Sequence, residues 1–340
     1  MTTVGTRVMK NRYVSAQDVR SVAVIGTGAV GASWIALFLA HGLEVVAFDP
    51  AVDAEERTRK MVAAAWPTLS VRGEKVRFGV PLHSLRFARS AAEASRAADV
   101  VQENIPERAE LKAGVLAEID GAAAPEKIIL SSTGGLSPSE MQRACRHPER
   151  LVVLHPFNPA HLIRLVEVVG GRETAPEVLD WAEAFARRMG KVPIRLNTEI
   201  PGHLTNRLQF ALLREAMSCL LAGVASAKDI DTAIRHGLAP RWALMGGLLT
   251  FHLAGGDGGT RGILEHAGDA IETWWNPSAM PPLTPDVVDR LSMAGDEVSG
   301  GLSATDWSVW RDAGLVEILT VQRRTEALAA GVLGSDERKT

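Results

Sequence analysis

A histidine and a glutamate stand in two apolar segments of the chain, and together they can move a proton. His155 follows the apolar run Leu151–Leu154 and precedes the proline-containing segment Pro156–Pro159. Glu167 lies inside the otherwise apolar run Leu165–Val169, where a buried carboxylate needs a hydrogen-bond partner. A carboxylate bonded to an imidazole fixes the ring and raises its basicity, so His155 can exchange a proton with a hydroxyl. The alternative is a core histidine satisfied by a neighbouring backbone carbonyl.

A glycine-rich turn predicts a phosphate-binding site in the first part of the chain. The apolar run Val22–Ile25 leads into GTGAVG at 26–31, and a helix-length segment follows. In this strand–turn–helix context Gly26 permits the tight turn, and Gly28 lets the backbone approach a pyrophosphate. Gly31 lets the helix pack closely on the strand, and the N–H groups at the helix start favour phosphate.

An acidic residue beyond this turn indicates which dinucleotide binds. The run Val45–Phe48 ends in Asp49, whose carboxylate can accept hydrogen bonds from ribose hydroxyls and disfavours a 2′-phosphate. The sequence therefore predicts NAD as cofactor; the alternative is a glycine turn with an N-capping acid. The residues assigned to the cofactor by this pattern are Gly26, Gly28, Val30, Gly31 and Asp49.

The elements that must position these residues alternate between short β-branched runs and helix-length segments, which is typical of βαβ units around a parallel sheet. We predict strands at Val22–Ile25, Glu44–Phe48, Asp99–Gln102, Lys127–Ser131, Leu151–His155 and Leu165–Val169, and helices that include Val30–His41, Ala54–Ala65 and Glu107–Ile119. From Ile200 to about Ala330 the pattern is mostly helical, interrupted at Gly255–Gly259 and Asn276–Pro285.

This pattern predicts an α/β fold, a Rossmann-type doubly wound sheet followed by an all-α C-terminal domain. We divide the chain into a polar N-terminal arm at 1–20, an NAD-binding domain at 21–198, and a helical substrate and dimerisation domain at 199–335.

Composition excludes several classes of partner. The 340 residues carry a net charge of −3, so neither nucleic acid nor an anionic membrane is expected to bind. The 2 cysteines, Cys145 and Cys219, lack the spacing of a metal site or a disulfide framework. No apolar stretch reaches the roughly 18 residues of a membrane span, and the N-terminus lacks a signal-peptide core. We therefore expect a cytoplasmic protein with a small-molecule partner and no metal.

Six motifs together resemble the 3-hydroxyacyl-CoA dehydrogenase family. Their order and spacing cover nearly the whole chain from about residue 21: GTGAVG, ENIPERAELK at 103–112, SSTGGL at 131–136, HPFNP at 155–159, LVEVV at 165–169 and PGHLTNR at 201–207. The resemblance implies a Rossmann-type domain, a helical domain that forms a homodimer, and hydride transfer between NAD and a 3-hydroxy/3-oxo carbon.

The resemblance also implies roles for individual residues. His155 matches the general base of the family and Glu167 the acid that orients it. Asn206 matches the asparagine that hydrogen-bonds near the reacting oxygen, and Glu107 and Lys112 match residues beside the nicotinamide ribose.

One position departs from the family pattern. The family has a catalytic serine where this chain has Gly134, and the missing hydroxyl removes a donor of a kind that contributes a few kcal/mol in a transition state. Ser132, Thr133 and Ser137 are candidates to replace it, and we assign Ser132 to the catalytic set. Alternatively, Gly134 makes room for a bulkier substrate.

The C-terminal half, RHGLAPRWALMGGLLTFHLAGGDGG at 235–259, resembles the branch that contains carnitine dehydrogenases, which ketoreductases of aromatic polyketide biosynthesis also resemble. A trimethylammonium substrate needs aromatic faces, for which Trp242, Phe251 and Phe157 are candidates, unless these rings are ordinary core. A polycyclic substrate needs a wide apolar pocket. A coenzyme A ester needs basic residues at the pocket mouth, such as Arg164 or Arg241.

We therefore expect an NAD-dependent dehydrogenase or β-ketoreductase acting on a small 3-hydroxy or 3-oxo acid, carnitine-like. The alternatives are a ketoreductase for aromatic polyketides, a 3-hydroxyacyl-CoA dehydrogenase, and a non-catalytic dinucleotide-binding protein. The joint presence of His155, Glu167 and Asn206 argues against the last of these, whereas Gly134 favours it.

Overall fold

The computed structural model describes residues 12–71, 79–275 and 284–333. Two compact units divide the chain after Arg207. Most of the polar arm proposed at 1–20, namely residues 1–11, lies outside the described residues, as do residues 334–335 of the proposed helical domain and most of the break proposed at Asn276–Pro285.

The first unit contains an eight-stranded sheet with the order β3-β2-β1-β4-β5-β6-β7-β8. All neighbouring strands pair in parallel except β6 and β7. The strands are β1 Ser21–Ile25, β2 Glu44–Phe48, β3 Leu85–Phe87, β4 Val100–Glu103, β5 Ile129–Ser131, β6 Leu151–Pro156, β7 Leu165–Gly170 and β8 Val192–Arg195. The order is that of a doubly wound Rossmann fold, which confirms the predicted fold class.

Helices connect these strands. They are α1 Ala29–Ala40, α2 Ala54–Val71, α3 Ala91–Ala97, α4 Ala109–Ala122, α5 Pro138–Gln142 and α6 Pro176–Arg188. The six predicted strands are all present, with ends shifted by at most two residues. The predicted helix over Ala54–Ala65 continues to Val71 through Pro67. Helix α4 begins at Ala109, so Glu107 lies in the loop before it.

Three features of the sheet differ from the sequence expectations. Strands β3 and β8 were not predicted, because they are short and partly exposed and therefore lack a continuous apolar run. Strands β6 and β7 are antiparallel, because only residues 157–164 connect them and a parallel crossover needs a dozen residues or more. This antiparallel pair places His155 directly opposite Glu167.

Residues 12–20 pack on the sheet unit. Tyr13 and Val19 are buried, and the indole Nε1 of Trp181 donates to the carbonyl of Val14 over 2.5 Å. The guanidinium of Arg188 donates to two more carbonyls of this segment. The described end of the segment proposed as an arm is thus held by helix α6.

The second unit is helical. Its helices are the greater part of α7 His203–Leu221, then α8 Ala227–Ala233, a π-helical turn Ile234–Leu238, α9 Ala239–Ala254, α10 Gly259–Trp275, α11 Pro285–Ser299 and α12 Ala304–Leu333. Helix α9 is broken at Gly246, whose φ of 73° is outside the helical region. Among the helices of the described residues, none is long and apolar enough to cross a membrane.

Candidate active site

The glycine-rich turn lies at the point where the strand order reverses between β1 and β4. Gly26 has a φ of 87°, and a Cβ there would lie 2.9 Å from the backbone of Asn104. A Cβ on Gly31 would lie 2.0 Å from the carbonyl oxygen of Gly26, so only glycine allows this approach. A Cβ on Gly28 would meet no atom within 4 Å, which leaves its backbone open to a ligand. The turn therefore fits a pyrophosphate at the start of α1.

The carboxylate of Asp49 is fixed beside this turn at the end of β2. Its Oδ2 accepts hydrogen bonds from the backbone N–H of Thr27 over 2.9 Å and from the Thr27 hydroxyl over 3.3 Å. Its Oδ1 accepts from the N–H of Ala51 over 3.1 Å. A cavity of about 360 Å³ is lined by Asp49, the turn, Glu107 and Ser132. The turn, the acid and the cavity together fit NAD.

Glu107 joins this crevice to the loop that follows β5. One carboxylate oxygen accepts the backbone N–H of Gly134 over 2.6 Å, and the other accepts the hydroxyl of Thr133 over 2.8 Å. Glu107 therefore fixes the backbone of the residues that stand where the family pattern has its serine.

Lys112 is buried and makes an ion pair. Its ammonium lies 2.8 Å from Glu103 Oε1 and donates to the carbonyl of Ile105 over 3.2 Å; the lysine is 1% exposed. Glu103 also accepts the N–H of Ile105 over 2.6 Å and the hydroxyl of Ser131. The pair thus closes the loop that carries Glu107.

The hydroxyl of Ser132 is part of a saturated network. It donates to the amide oxygen of Asn104 over 2.7 Å and accepts from Trp34 Nε1 over 3.0 Å and from Gln102 Nε2 over 2.9 Å. Its one proton is therefore already donated to a protein group. Thr133 donates to Glu107 and Ser137 donates to Glu199, so the same is true of the other two hydroxyls considered as replacements.

His155 and Glu167 form the hydrogen-bonded pair that the sequence suggested. His155 Nδ1 lies 2.7 Å from Glu167 Oε2; Glu167 is fully buried and His155 is 7% exposed. Since an ionised carboxylate only accepts hydrogen bonds, Nδ1 carries a hydrogen, and in the neutral ring Nε2 then presents its lone pair. The reading of His155 as a core histidine bonded to a backbone carbonyl is thus not the one the structure shows.

The start of helix α7 holds Glu167 in its charged form. Its Oε1 accepts the N–H of Leu204 over 3.1 Å, and the N–H and hydroxyl of Thr205 over 2.7 and 3.0 Å. Burial raises the pKa of Glu167, but the hydrogen bonds from His155 and Thr205 outweigh it, and the pKa lies below its usual value. Glu167 therefore stays a carboxylate at neutral pH.

Gly134 and Asn206 lie next to the other ring nitrogen of His155. The side-chain nitrogen of Asn206 donates to the carbonyl of Gly134 over 2.8 Å. A Cβ on Gly134 would lie 3.0 Å from His155 Nε2 and 3.3 Å from Asn206 Nδ2. The structure thus brings His155 and Asn206 together beside Gly134, with Glu167 on the opposite ring nitrogen of His155.

A second histidine, which the sequence analysis did not single out, packs against His155. The rings of His155 and His203 lie 5.4 Å apart, and His203 is 1% exposed. Burial, and next the nearby His155, lower the pKa of His203, which therefore stays neutral and donates Nε2–H to the carbonyl of Thr133 over 3.2 Å. Among the described residues it is the one non-glycine residue with a positive φ, 51°. The sequence feature that could have pointed to His203 is its position directly after Pro201-Gly202, at the start of a helical segment.

Groups of three or more histidine, cysteine or acidic side chains able to hold a metal do not occur among the described residues.

Models of known protein families match most of the chain. Residues 21–200 match the NAD binding domain of 3-hydroxyacyl-CoA dehydrogenase, and residues 202–297 match its C-terminal domain. These matches confirm the resemblance inferred from the motifs.

Individual relatives support the same family assignment. The chain is 43% identical to an L-carnitine dehydrogenase of Streptomyces coelicolor over 95% of this chain and 98% of that protein. It is also 43% identical to an L-carnitine dehydrogenase of Bacillus cereus, over 89% and 92%. A crystal structure of 5-formyl-3-hydroxy-2-methylpyridine 4-carboxylic acid 5-dehydrogenase, an NAD⁺-dependent dismutase, matches with a TM-score of 0.76 at 28% identity, over 91% of this chain and 99% of that one. The chain therefore belongs to the 3-hydroxyacyl-CoA dehydrogenase family and is an NAD-dependent oxidoreductase that interconverts a 3-hydroxy and a 3-oxo group.

Proposed function

We propose that this chain oxidises or reduces the β-carbon of a small trimethylammonium acid of the carnitine type, with His155 as general acid and base. The observation that carries the proposal is the buried pair of His155 and Glu167, 2.7 Å apart, beside a crevice that fits NAD. The name and 43% identity of the relatives support the carnitine type of substrate.

The proton step follows from the tautomer of His155. Nε2 takes the proton of the substrate hydroxyl, and Nδ1–H continues to donate to Glu167. The positive ring then lies against a carboxylate that Thr205 keeps ionised. In the opposite direction the protonated ring returns this proton to the keto oxygen. Asn206, bonded to the carbonyl of Gly134, orients the oxygen beside His155.

NAD bound in the crevice supplies the acceptor or donor of the hydride. The residues that would hold it are the backbone of the turn at Gly26, Gly28, Val30 and Gly31, with Asp49 on the ribose. Glu107 borders this crevice and the loop at Gly134, so we assign it to the nicotinamide end. Lys112 acts there by closing the loop of Glu107. Ser132 contributes by fixing Asn104 on the crevice wall, where both residues lie.

Phe157 is the aromatic side chain we assign to the substrate cation. Its ring lies 4.7 Å from that of His155 in an edge-on arrangement, and it is partly exposed. A quaternary ammonium is attracted to the face of an aromatic ring, by about 0.5–2 kcal/mol. Phe157 thus offers a partly exposed aromatic ring for the cation beside His155.

The helical unit supports a homodimer. Among its described residues only Val287 and Leu319 are buried hydrophobic side chains, whereas Leu248 is 91% exposed and Trp274 73% exposed. Exposed apolar side chains at this density are typical of an interface. A second copy of this chain would cover them.

The cytoplasm is the location we propose. Both cysteines are free thiols, and burial raises the pKa of Cys145 to about 12, so this thiol is unreactive. Free, unpaired cysteines are typical of a reducing compartment.

The test is NADH formation by the purified protein with a panel of substrates. L-carnitine, 3-hydroxybutanoate and 3-hydroxybutanoyl-CoA are assayed with NAD⁺, and NADH oxidation is followed with a bicyclic aromatic β-ketone. We expect L-carnitine to have the highest kcat/KM. Preference for the thioester or for the bicyclic ketone would replace the proposed substrate. Turnover of none of them would favour a non-catalytic dinucleotide-binding protein.

A further inference from the structure

His203 and Glu107 hold the two ends of one peptide group that lies beside His155. This group joins Thr133 to Gly134. Its carbonyl oxygen accepts the Nε2–H of His203 over 3.2 Å, and its N–H donates to Glu107 over 2.6 Å. A peptide group is planar, so a hydrogen bond at each end fixes how the whole group is turned. It borders the reacting ring, because a Cβ on Gly134 would lie 3.0 Å from His155 Nε2.

The loop that carries this peptide group has little rigidity of its own. Gly134 and Gly135 follow each other, and glycine has more conformational freedom to lose on folding than any other residue. Neither glycine has a side chain that could anchor the loop. The orientation of the loop therefore depends on hydrogen bonds with other segments. Besides the two bonds to the peptide group, Asn206 donates to the carbonyl of Gly134 over 2.8 Å.

We propose that His203 is a positioning residue for the reaction: its ring N–H fixes the peptide group between Thr133 and Gly134, and with it the backbone that borders His155. The inference rests on the proposed role of His155 as general acid and base. Without the bond from His203 the peptide group turns about the glycine, and the backbone leaves its place beside Nε2 in part of the molecules. Fewer molecules then hold the reacting groups in order, which lowers kcat.

Three properties of His203 count against a purely structural role. Its Nδ1 is buried and has no hydrogen-bond partner among the described residues, so the desolvation of this nitrogen is not compensated. Its φ of 51° is a conformation that a side chain disfavours. It is a titratable residue that is only 1% exposed, and burial lowers its pKa. Costs of this kind persist at functional sites, where the geometry that they secure is used in the reaction.

The test compares three replacements of His203 that keep or remove its hydrogen bond. Phenylalanine keeps a ring but has no donor. Asparagine tolerates a positive φ but is too short to reach the carbonyl of Thr133. Glutamine carries an amide nitrogen at about the distance of Nε2 from Cα and can donate. The matched control is Trp181→Phe on helix α6, which removes another buried ring N–H that donates to a backbone carbonyl, that of Val14.

Steady-state kinetics give the first measurement. We expect His203→Phe and His203→Asn to lower kcat for L-carnitine at least ~10-fold, and His203→Gln to stay within ~3-fold of the wild type. The KM for NAD⁺ should change less than ~2-fold in all of them, because the dinucleotide turn is not touched. The thermal midpoint of His203→Phe stays close to that of the wild type, because removal of the unpaired Nδ1 offsets the lost bond to Thr133. Trp181→Phe shows the opposite pattern, a lower midpoint with an unchanged kcat.

The second measurement needs no substrate and is the ¹⁵N relaxation of the Gly134 amide. We expect an order parameter of about 0.85 in the wild type, His203→Gln and Trp181→Phe, and one below about 0.6 in His203→Phe and His203→Asn. Where the wild type turns over no substrate, the proposed function fails and the order parameters alone decide on His203. An unchanged rate in His155→Gln would likewise refute only the proposed role of His155.

Two results would overturn the proposal. The first is a wild-type order parameter of Gly134 in His203→Phe and His203→Asn, or, with an active wild type, an unchanged kcat in these variants. The second is an equal loss in His203→Gln and His203→Phe, because the N–H donor would then not be the group that positions the loop.

Discussion

The two units differ in how far they bury their apolar and polar side chains. The sheet unit buries its apolar residues within one chain: Trp34, Phe38 and Phe185 are all 0% exposed. The helical unit leaves large apolar side chains such as Leu248 and Phe251 at 91% and 55% exposure. The difference teaches that the sheet unit completes its own core, whereas the helical unit leaves apolar side chains exposed that the proposed homodimer would cover.

The polar groups of the sheet unit complete the comparison. Glu103 and Glu167 are both 0% exposed, and each accepts hydrogen bonds from a partner side chain and from at least one backbone N–H group. Buried carboxylates so fully bonded have one favoured geometry, which is what a proton-transfer site needs. We therefore place the chemistry in the sheet unit and association in the helical unit, and each prediction below tests one side of this division.

The largest expected effect is on catalysis in the sheet unit. His155→Gln removes the nitrogen that exchanges the proton and should lower kcat/KM for L-carnitine about 10³-fold. Steady-state kinetics measure this, with the exposed His83→Gln as control, expected within about twofold of the wild type. An unchanged rate in His155→Gln would show that His155 does not exchange the proton with the substrate.

The next effect concerns stability in the sheet unit. Lys112→Met leaves the buried Glu103 without its ion partner and should lower the free energy of unfolding by about 3–5 kcal/mol. The matched control is Lys60→Met, whose pair with Glu56 has both side chains 73% exposed and should matter by less than about 0.5 kcal/mol. Equal losses of unfolding free energy in Lys112→Met and Lys60→Met, measured with urea, would show that burial of the Lys112–Glu103 pair adds nothing to stability.

The third effect tests the helical unit. Leu248→Glu places a charge on an apolar face and should weaken self-association by about 2 kcal/mol, roughly 30-fold in Kd. Light scattering over a dilution series measures it. The control is Val52→Glu, fully exposed in the sheet unit, which should leave the mass unchanged. A wild type that is monomeric at all concentrations would contradict the proposed role of the helical unit.

The smallest effect is a pH dependence set by Glu167. Its folded pKa lies below the usual value, so its stabilisation is present above the unfolded pKa and is lost as the pH falls through the folded pKa. Thr205→Val removes one hydrogen bond to this carboxylate and should cost about 1.5 kcal/mol at pH 7, with the loss shrinking in acid.

The control for this pH dependence is Thr68→Val, whose hydroxyl donates to the carbonyl of Ala65, a neutral acceptor. The free energy of unfolding lost in Thr68→Val, measured with urea, should be the same at pH 7 and in acid. A Thr205→Val loss that does not change with pH would mean that the hydroxyl does not act through the charge of Glu167.

The fold and the pairing of His155 with Glu167 could be predicted from the sequence because both depend on patterns that are local in the chain. The apolar runs around His155 and Glu167 mark strands, and a lone acid in such a run requires a partner. What it could not reach depends on contacts between distant segments. The antiparallel register that places the two residues opposite each other is one example, and the packing of His203 on His155 is another.

Gly134 shows the same limit. In the sequence it is a missing serine with three nearby hydroxyls as replacements. The structure shows that the hydroxyls of Ser132, Thr133 and Ser137 already donate to Asn104, Glu107 and Glu199, which lie on other loops of the chain. Spacing along the chain carries no information about those acceptors.

The most direct test of the central claim is the tautomer of His155, measured by ¹⁵N NMR of the ring nitrogens in the NAD⁺ complex at neutral pH. Proton transfer by this residue requires hydrogen on Nδ1, bonded to Glu167, and a lone pair on Nε2 facing the substrate. We predict ring shifts typical of the Nδ1–H tautomer, lost in Glu167→Gln. An Nε2–H tautomer in the wild type would contradict the account.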